Sequence, residues 1–121
     1  MNYYPQPQGY YQPQQVDISA LVDQYALPYL LQFLDGKDEK QYHEFMRKRP
    51  DFIGHFQRTN KTAWTIVMGV LEYFRGRINL SPEWEARKVV HIIKRRGWKV
   101  YESEYHIFVD NIRRFLDYAN G

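Results

Sequence analysis

Apolar residues recur at helical spacing from Val16 onward. Ile18, Leu21, Val22, Tyr25, Tyr29, Leu30 and Phe33 fall three or four apart and predict a first amphipathic helix. Asp17 or Ser19 is placed to cap its start and Gly36 its end, while Pro28 removes one backbone hydrogen bond inside the pattern and predicts a kink or break. In "KDEKQYHEFMRKRPDF" acids come early and cations late, the order that complements a helix dipole, so a helix is expected over about 38–48 with Pro50 ending it. The stretch Pro50 to Asn60 holds Phe52, Ile53 and Phe56 but also Gly54, which fits either one helical turn or an ordered loop.

The run "TAWTIVMGVLEYFRGRI" is apolar nearly all round, which predicts the most buried helix of the chain over about 61–77. "SPEW" is a start signal, with Ser81 as N-cap, Pro82 at the first helical position, and Glu83 and Glu85 in the first turn. The helix it opens is expected to reach about Arg96 and stop at Gly97. "GWKVY" fits a brief extended segment. Ser103 is then read as opening a last helix whose apolar face carries Tyr105, Phe108, Ile112, Phe115, Leu116 and Ala119. No internal repeat is present, and the fold class expected is all-α, a small four- to five-helix bundle.

Ahead of this pattern lies "NYYPQPQGYYQPQQ", with four tyrosines, five glutamines, three prolines and no charge. Its prolines disfavour a helix and its lack of aliphatic residues denies it a core, so residues 1–15 are expected to be an extended or disordered low-complexity arm on a helical domain, 16–121. Tyrosine offers large amphipathic contact area at low entropy cost, which favours an arm that orders on assembly and supports self-association over a passive tail.

Composition narrows the class. With 44% hydrophobic and 17% aromatic residues, a body of about a hundred residues has enough apolar surface for one core and too little for two. The absence of cysteine excludes disulfides, thiol nucleophiles and thiolate metal sites. The longest apolar stretch, Trp64 to Leu71, is far short of the ~20 residues a membrane helix needs, and no secretory signal precedes the body. The expected location is therefore the cytoplasm, or a particle assembled inside a cell.

Charge is distributed unevenly. Residues 1–60 hold six Lys/Arg against seven Asp/Glu, and residues 61–121 hold eleven against seven. The excess concentrates in "ARKVVHIIKRRGWK", where Val89, Val90, Ile92 and Ile93 are read as inward and Arg87, Lys88, His91, Lys94 and Arg95 as projecting elsewhere, with Arg96 and Lys99 close by. Arg87, Lys88, Lys94, Arg95, Arg96 and Lys99 are the leading nucleic-acid-binding candidates, because such a set neutralises phosphates. An acidic protein partner or a merely solvated face would use the same residues. Arg75, Arg77, Arg113 and Arg114 extend the surface if their helices are neighbours. Trp98, among the cations, either stacks on an unpaired base or packs back onto its own helix.

Other chemistry is weakly represented. "RGRINLS" is longer than the turn of a helix-turn-helix. His43, His55, His91 and His106 are scattered, and only His106 and Asp110 have metal-ligand spacing, so no metal and no cofactor are expected. Glu83/Glu85 and Glu102/Glu104 are two apart and cannot face each other on a helix, which makes them first-turn acids rather than a catalytic pair. No phosphate-cradling loop or nucleophile setting occurs, and the "RRGW, KVY" junction lacks the acidic and lysine constellation of nuclease-like folds. The chain is expected not to be an enzyme.

The combined expectation is a structural protein that coats or packages DNA or RNA as an oligomer, in the manner of a virion coat or nucleoprotein. In architecture the chain resembles the small helical coat proteins of filamentous viruses, and in size, charge and helical content it is similar to the small helical subunits of RNA-guided interference complexes. The alternative is a protein–protein module, an adaptor or inhibitor docking on a larger machine. Deleting residues 1–15 is expected to leave helicity and Tm nearly intact while reducing oligomer size, read by circular dichroism and light scattering; a truncated chain that unfolds would place the arm in the core.

Overall fold

The computed structural model describes residues 18–25 and 27–121; the Tyr/Gln/Pro arm and the boundary expected at residues 15 and 16 lie outside them. The elements are α1 (Ile18–Tyr25), α2 (Leu27–Leu31) followed by a single 3-10 turn (Gln32–Leu34), α3 (Glu39–Arg47), α4 (Phe52–Thr59), α5 (Lys61–Glu72), α6 (Pro82–Arg95) and α7 (Glu102–Asn120). The described residues form an all-α bundle without strands. Its helices are slightly more numerous than the four or five expected.

Local chemistry sets most of the boundaries. The Asp38 carboxylate accepts from the Gln41 backbone N–H at 2.8 Å, and the Gln41 side chain accepts from the Asp38 N–H at 2.9 Å, a reciprocal cap that starts α3. Ser81 caps α6 by accepting from the Trp84 N–H at 3.2 Å, with Pro82 at the first helical position. Gly97 ends that helix with φ of 86°, a left-handed geometry that residues with a Cβ adopt only at a cost. Pro28 sits in the first turn of α2, where a missing N–H breaks no intrahelical bond.

Residues 52–59 resolve the ambiguity left between turn and loop: they form a complete helix. Asp51 caps it, accepting from the Gly54 N–H at 3.0 Å. A Cβ on residue 54 would lie 2.6 Å from an Asp51 carboxylate oxygen. The glycine that reads as a breaker in the sequence is therefore what lets the capping carboxylate close over the first turn.

The expectation that 61–77 is the most buried helix does not hold. α5 ends at Glu72, and only Trp64, Val67 and Leu71 of it are buried. Ile66 is 53% exposed and Thr62, Thr65 and Gly69 also face outward. The central element is α7, with nine buried positions, among them Ile107, Phe108, Ile112, Phe115 and Leu116. Small and β-branched residues on the outer face of α5 imitate the apolar pattern of a core helix, whereas the charges punctuating α7 disguise one. The last helix also begins at Glu102 rather than at Ser103, because the Glu104 carboxylate reaches back to accept from the Tyr101 N–H at 2.9 Å.

α7 packs most extensively against α6 and also touches α3, α4 and α5. Near its first half an aromatic cluster forms around Phe33, whose ring lies 5.0 Å from both Phe45 and Phe52 and 5.9 Å from Tyr42. Three polar residues of α7 fix the surrounding segments. Glu104 accepts from the Tyr42 hydroxyl at 3.3 Å and lies 2.5 Å from His43 Nδ1, which holds α3. Asn111 accepts from the Phe52 N–H at 2.8 Å and donates to the Pro50 carbonyl at 3.2 Å, which holds the start of α4. Asn120 accepts from the Gly76 and Ile78 N–H groups and donates to the Ile78 carbonyl at 2.8 Å, which holds the turn before α6.

Asn111 is 1% exposed, so replacing it strands buried backbone groups rather than exchanging one solvated contact for another. Asn111→Leu is expected to cost about 2–4 kcal/mol of stability, measured by urea unfolding. A loss under about 0.5 kcal/mol would mean that the Phe52 N–H finds another acceptor.

Candidate nucleic-acid interface

α6 separates its residues cleanly. Glu85, Ala86, Val89 and Ile93 are buried. Arg87, His91, Lys94 and Arg95 are exposed, and helical geometry puts them within a stripe about 100° wide, some 12 Å long from Arg87 to Arg95. No acid among the described residues lies within ion-pairing distance of the Arg87, Lys94 or Arg95 side chains. These three share one face of α6 without an acidic partner among the described residues; Arg96 likewise has none but lies past the last residue of the helix.

The remaining members are differently placed. Lys88 is turned towards α1, its ammonium 2.9 Å from Asp23 and 3.2 Å from the buried Glu85, and it also donates to the Ser19 hydroxyl at 3.1 Å. Burial lowers the Lys88 pKa, but the bonds to Asp23 and Glu85 outweigh it and hold the group above the usual lysine range. Burial also raises the Glu85 carboxyl above its ordinary value, partly offset by Lys88. Lys88 is thus an internal tie.

Arg96 lies over the Trp98 ring at 5.2 Å from its centroid, and the Lys99 backbone N–H is bound by Glu39 at 2.8 Å. That bond and the neighbouring His43 hold the Glu39 carboxyl below its ordinary value.

The second-rank cations do not join this face. Arg75 pairs with Glu72 at 3.9 Å, and Arg77 donates to the Tyr73 carbonyl and covers the Phe74 ring. Both lie on the turn before α6, whereas Lys94 is about 18 Å along the helix axis from Pro82. Arg113 pairs with Glu83 at 3.0 Å. A hydrogen bond from the Glu83 backbone N–H, with Arg113 and Ser81 adding to it against partial desolvation, keeps the Glu83 carboxyl below the usual carboxylate range. Arg114 donates to Asn111 at 3.0 Å and faces Asp51 at 3.9 Å.

Of the two roles open to Trp98, packing is the one the fold gives it. Trp98 is half-buried, 5.5 Å from Tyr42, so it packs back on the bundle. Trp84 is 59% exposed and falls on the same stripe as Arg87 and His91. Its spacing of three and seven residues from those two is the sequence signal for this placement, set within the "SPEW" start signal of α6. An exposed aromatic beside uncompensated cations is the arrangement that stacks on an unpaired base while phosphates are neutralised.

A second cluster looks more chemical than it is. A hollow of about 190 Å³ is lined by His43, Ser103, Glu104, Arg47, Met46 and Tyr101. His43 faces Glu104 through Nδ1 and Glu39 through Nε2 at 3.3 Å, so neither ring nitrogen is left to accept a proton from Ser103. Glu104, read from sequence as a first-turn acid, is a buried anchor, as is Glu85. His106 pairs with Glu102 at 3.6 Å rather than with Asp110, which faces Arg49 and Arg113. No group of three or more metal-ligating side chains is gathered among the described residues, and no described helix is long and apolar enough to cross a membrane.

Lys88→Met is expected to lower stability by about 2 kcal/mol near neutral pH, by leaving Glu85 buried without its partner. Since the folded state holds the Glu85 proton more tightly than the unfolded state, that loss should shrink as the pH falls through the carboxylate range. Urea titrations at pH 7 and pH 4 read the difference, and a pH-independent loss would assign the effect to packing. No protein family, curated protein or solved structure compared with this chain matches it.

Proposed function

We propose that the chain is a non-enzymatic nucleic-acid-binding structural protein that coats its nucleic acid as an oligomer, with the exposed face of α6 as the contact surface. The observation that carries this reading is the alignment of Arg87, Lys94 and Arg95, without acidic partners among the described residues, beside the exposed Trp84. A solvated face gains from interspersed acids that limit self-repulsion. This stripe has none, although Asp and Glu are plentiful elsewhere on the chain. Salt-dependent attraction to phosphates uses such a stripe directly, and Trp84 adds a stacking platform that tolerates any base.

The test is a titration against duplex DNA, single-stranded DNA and RNA at two salt concentrations. Arg87→Ala, Lys94→Ala and Arg95→Ala combined are expected to reduce the slope of log K against log salt by about 2–3. Lys88→Met should leave the slope unchanged. Trp84→Ala should weaken single-stranded binding about tenfold or more with little effect on duplex. An unaltered slope in the triple variant overturns the assignment, and absence of binding at low salt would turn the same face into a dock for an acidic protein.

A further inference from the structure

A groove of about 290 Å³ lies between α1/α2 and α4/α5, walled by Pro28, Tyr29, Phe56, Ile66 and Val67. Among the described residues, two amides, Gln24 and Gln32, are its polar lining, and no charged side chain borders it. Three other hollows on the bundle are bordered by charges: Arg49, Asp110 and Arg113 at one, Lys37, Glu44 and Lys48 at another, and Arg47 and Glu104 at the third. Tyr29 is 4% exposed, and its hydroxyl is the one buried side-chain polar atom among the described residues without a hydrogen-bond partner. Its ring stacks on Phe56 at 5.1 Å, and burial pushes its pKa far above the usual tyrosine value, so it remains a neutral donor. An aromatic-walled groove whose polar lining among the described residues is two amides matches a proline-rich segment, whose polyproline conformation leaves its carbonyls free to accept from such amides.

The chain carries such a segment. Residues 2–15 are uncharged, with prolines at 5, 7 and 13 and the pairs Tyr3–Tyr4 and Tyr10–Tyr11. We infer that this groove receives the Tyr/Pro/Gln arm of a second copy of the chain. Gln24, the contribution of α1 to the groove, is six residues past Ile18, so an arm folding back on its own bundle must reverse just before α1. Of the residues available there, Gln14, Gln15 and Val16 are poor turn formers, and Asp17 alone favours such a reversal. Continuing outward, fourteen extended residues reach up to about 45 Å, enough to cross to a neighbour. Arm into groove is a head-to-tail contact, which repeats from copy to copy without closing on itself unless the rotation between copies forms a ring. This rests on the coating role proposed above, to which it adds the subunit joint.

The experiment places a photo-crosslinking phenylalanine derivative at Tyr11 of the full-length chain, mixes unlabelled and ¹⁵N-labelled protein, and maps cross-links by mass spectrometry as particles grow on nucleic acid. Cross-links to peptides containing Ile66 or Gln24, with mixed-label pairs at their statistical share, are expected. Ile66→Glu should reduce them by about tenfold and halt particle growth while leaving the salt slope of nucleic-acid binding intact; Ile66 is exposed, so the fold tolerates the change. Same-label pairs alone, meaning the arm binds its own bundle, would overturn the inference, as would cross-links elsewhere. If nucleic acid fails to bind yet mixed-label cross-links form in concentrated protein, the joint stands and the coating role falls.

Discussion

The bundle depends on covering α7. A nineteen-residue helix with nine buried positions cannot sit on a surface, and its burial on several sides forces α3, α4, α5 and α6 to gather around it. Apolar contact is non-directional and would accept many arrangements of those neighbours. The arrangement is selected by polar atoms set into the same helix. Glu104, Asn111 and Asn120 each bind backbone or side chain of a different segment, and Glu104 and Asn111 do so where water cannot replace the partner.

That division explains why ion pairs matter unequally here. Lys88 with Asp23 and Glu85 joins α1 to α6 partly out of solvent, whereas Arg113 with Glu83 and Arg75 with Glu72 lie in the open, where such pairs contribute little. Acids are spent on the inward and flanking sides of α6, and the cations left over point outward together. The exposed cationic stripe is thus produced by how the bundle consumes its carboxylates, not by a local excess of lysine and arginine alone.

Periodicity and local signals in the sequence revealed the helical class, the cap Ser81 and the stop at Gly97, because each is a local effect. Three features were not legible because each depends on distant residues. Phe52–Thr59 looked indecisive since the benefit of Gly54 lies in the Asp51 carboxylate over it. The Trp64–Leu71 run looked central although Ile66 faces out, since periodicity measures apolarity and not the presence of a neighbour. Lys88 looked like its neighbour Arg87, and only the approach of Asp23, sixty-five positions away, separates them. Of the basic cluster, the sequence showed the region, and only the structure showed which members are paired with acids. Trp84 and Trp98 could be ranked only after burial assigned one to Tyr42 and the other to solvent.

The three polar residues of α7 also imply an order of assembly. Tyr42 and Glu104 are sixty-two positions apart, Phe52 and Asn111 fifty-nine, and Ile78 and Asn120 forty-two, whereas α6 and α7 are joined by a short connection and share the largest interface in the bundle. Closing a short loop costs less entropy than closing a long one, so the α6–α7 pair is placed to form first, with α3 and α4 docking onto it afterwards. A ribosome delivers these two helices after α3 and α4. The aromatic residues of the first half, Phe33, Phe45 and Phe52 among them, must therefore wait for a scaffold that is made after them.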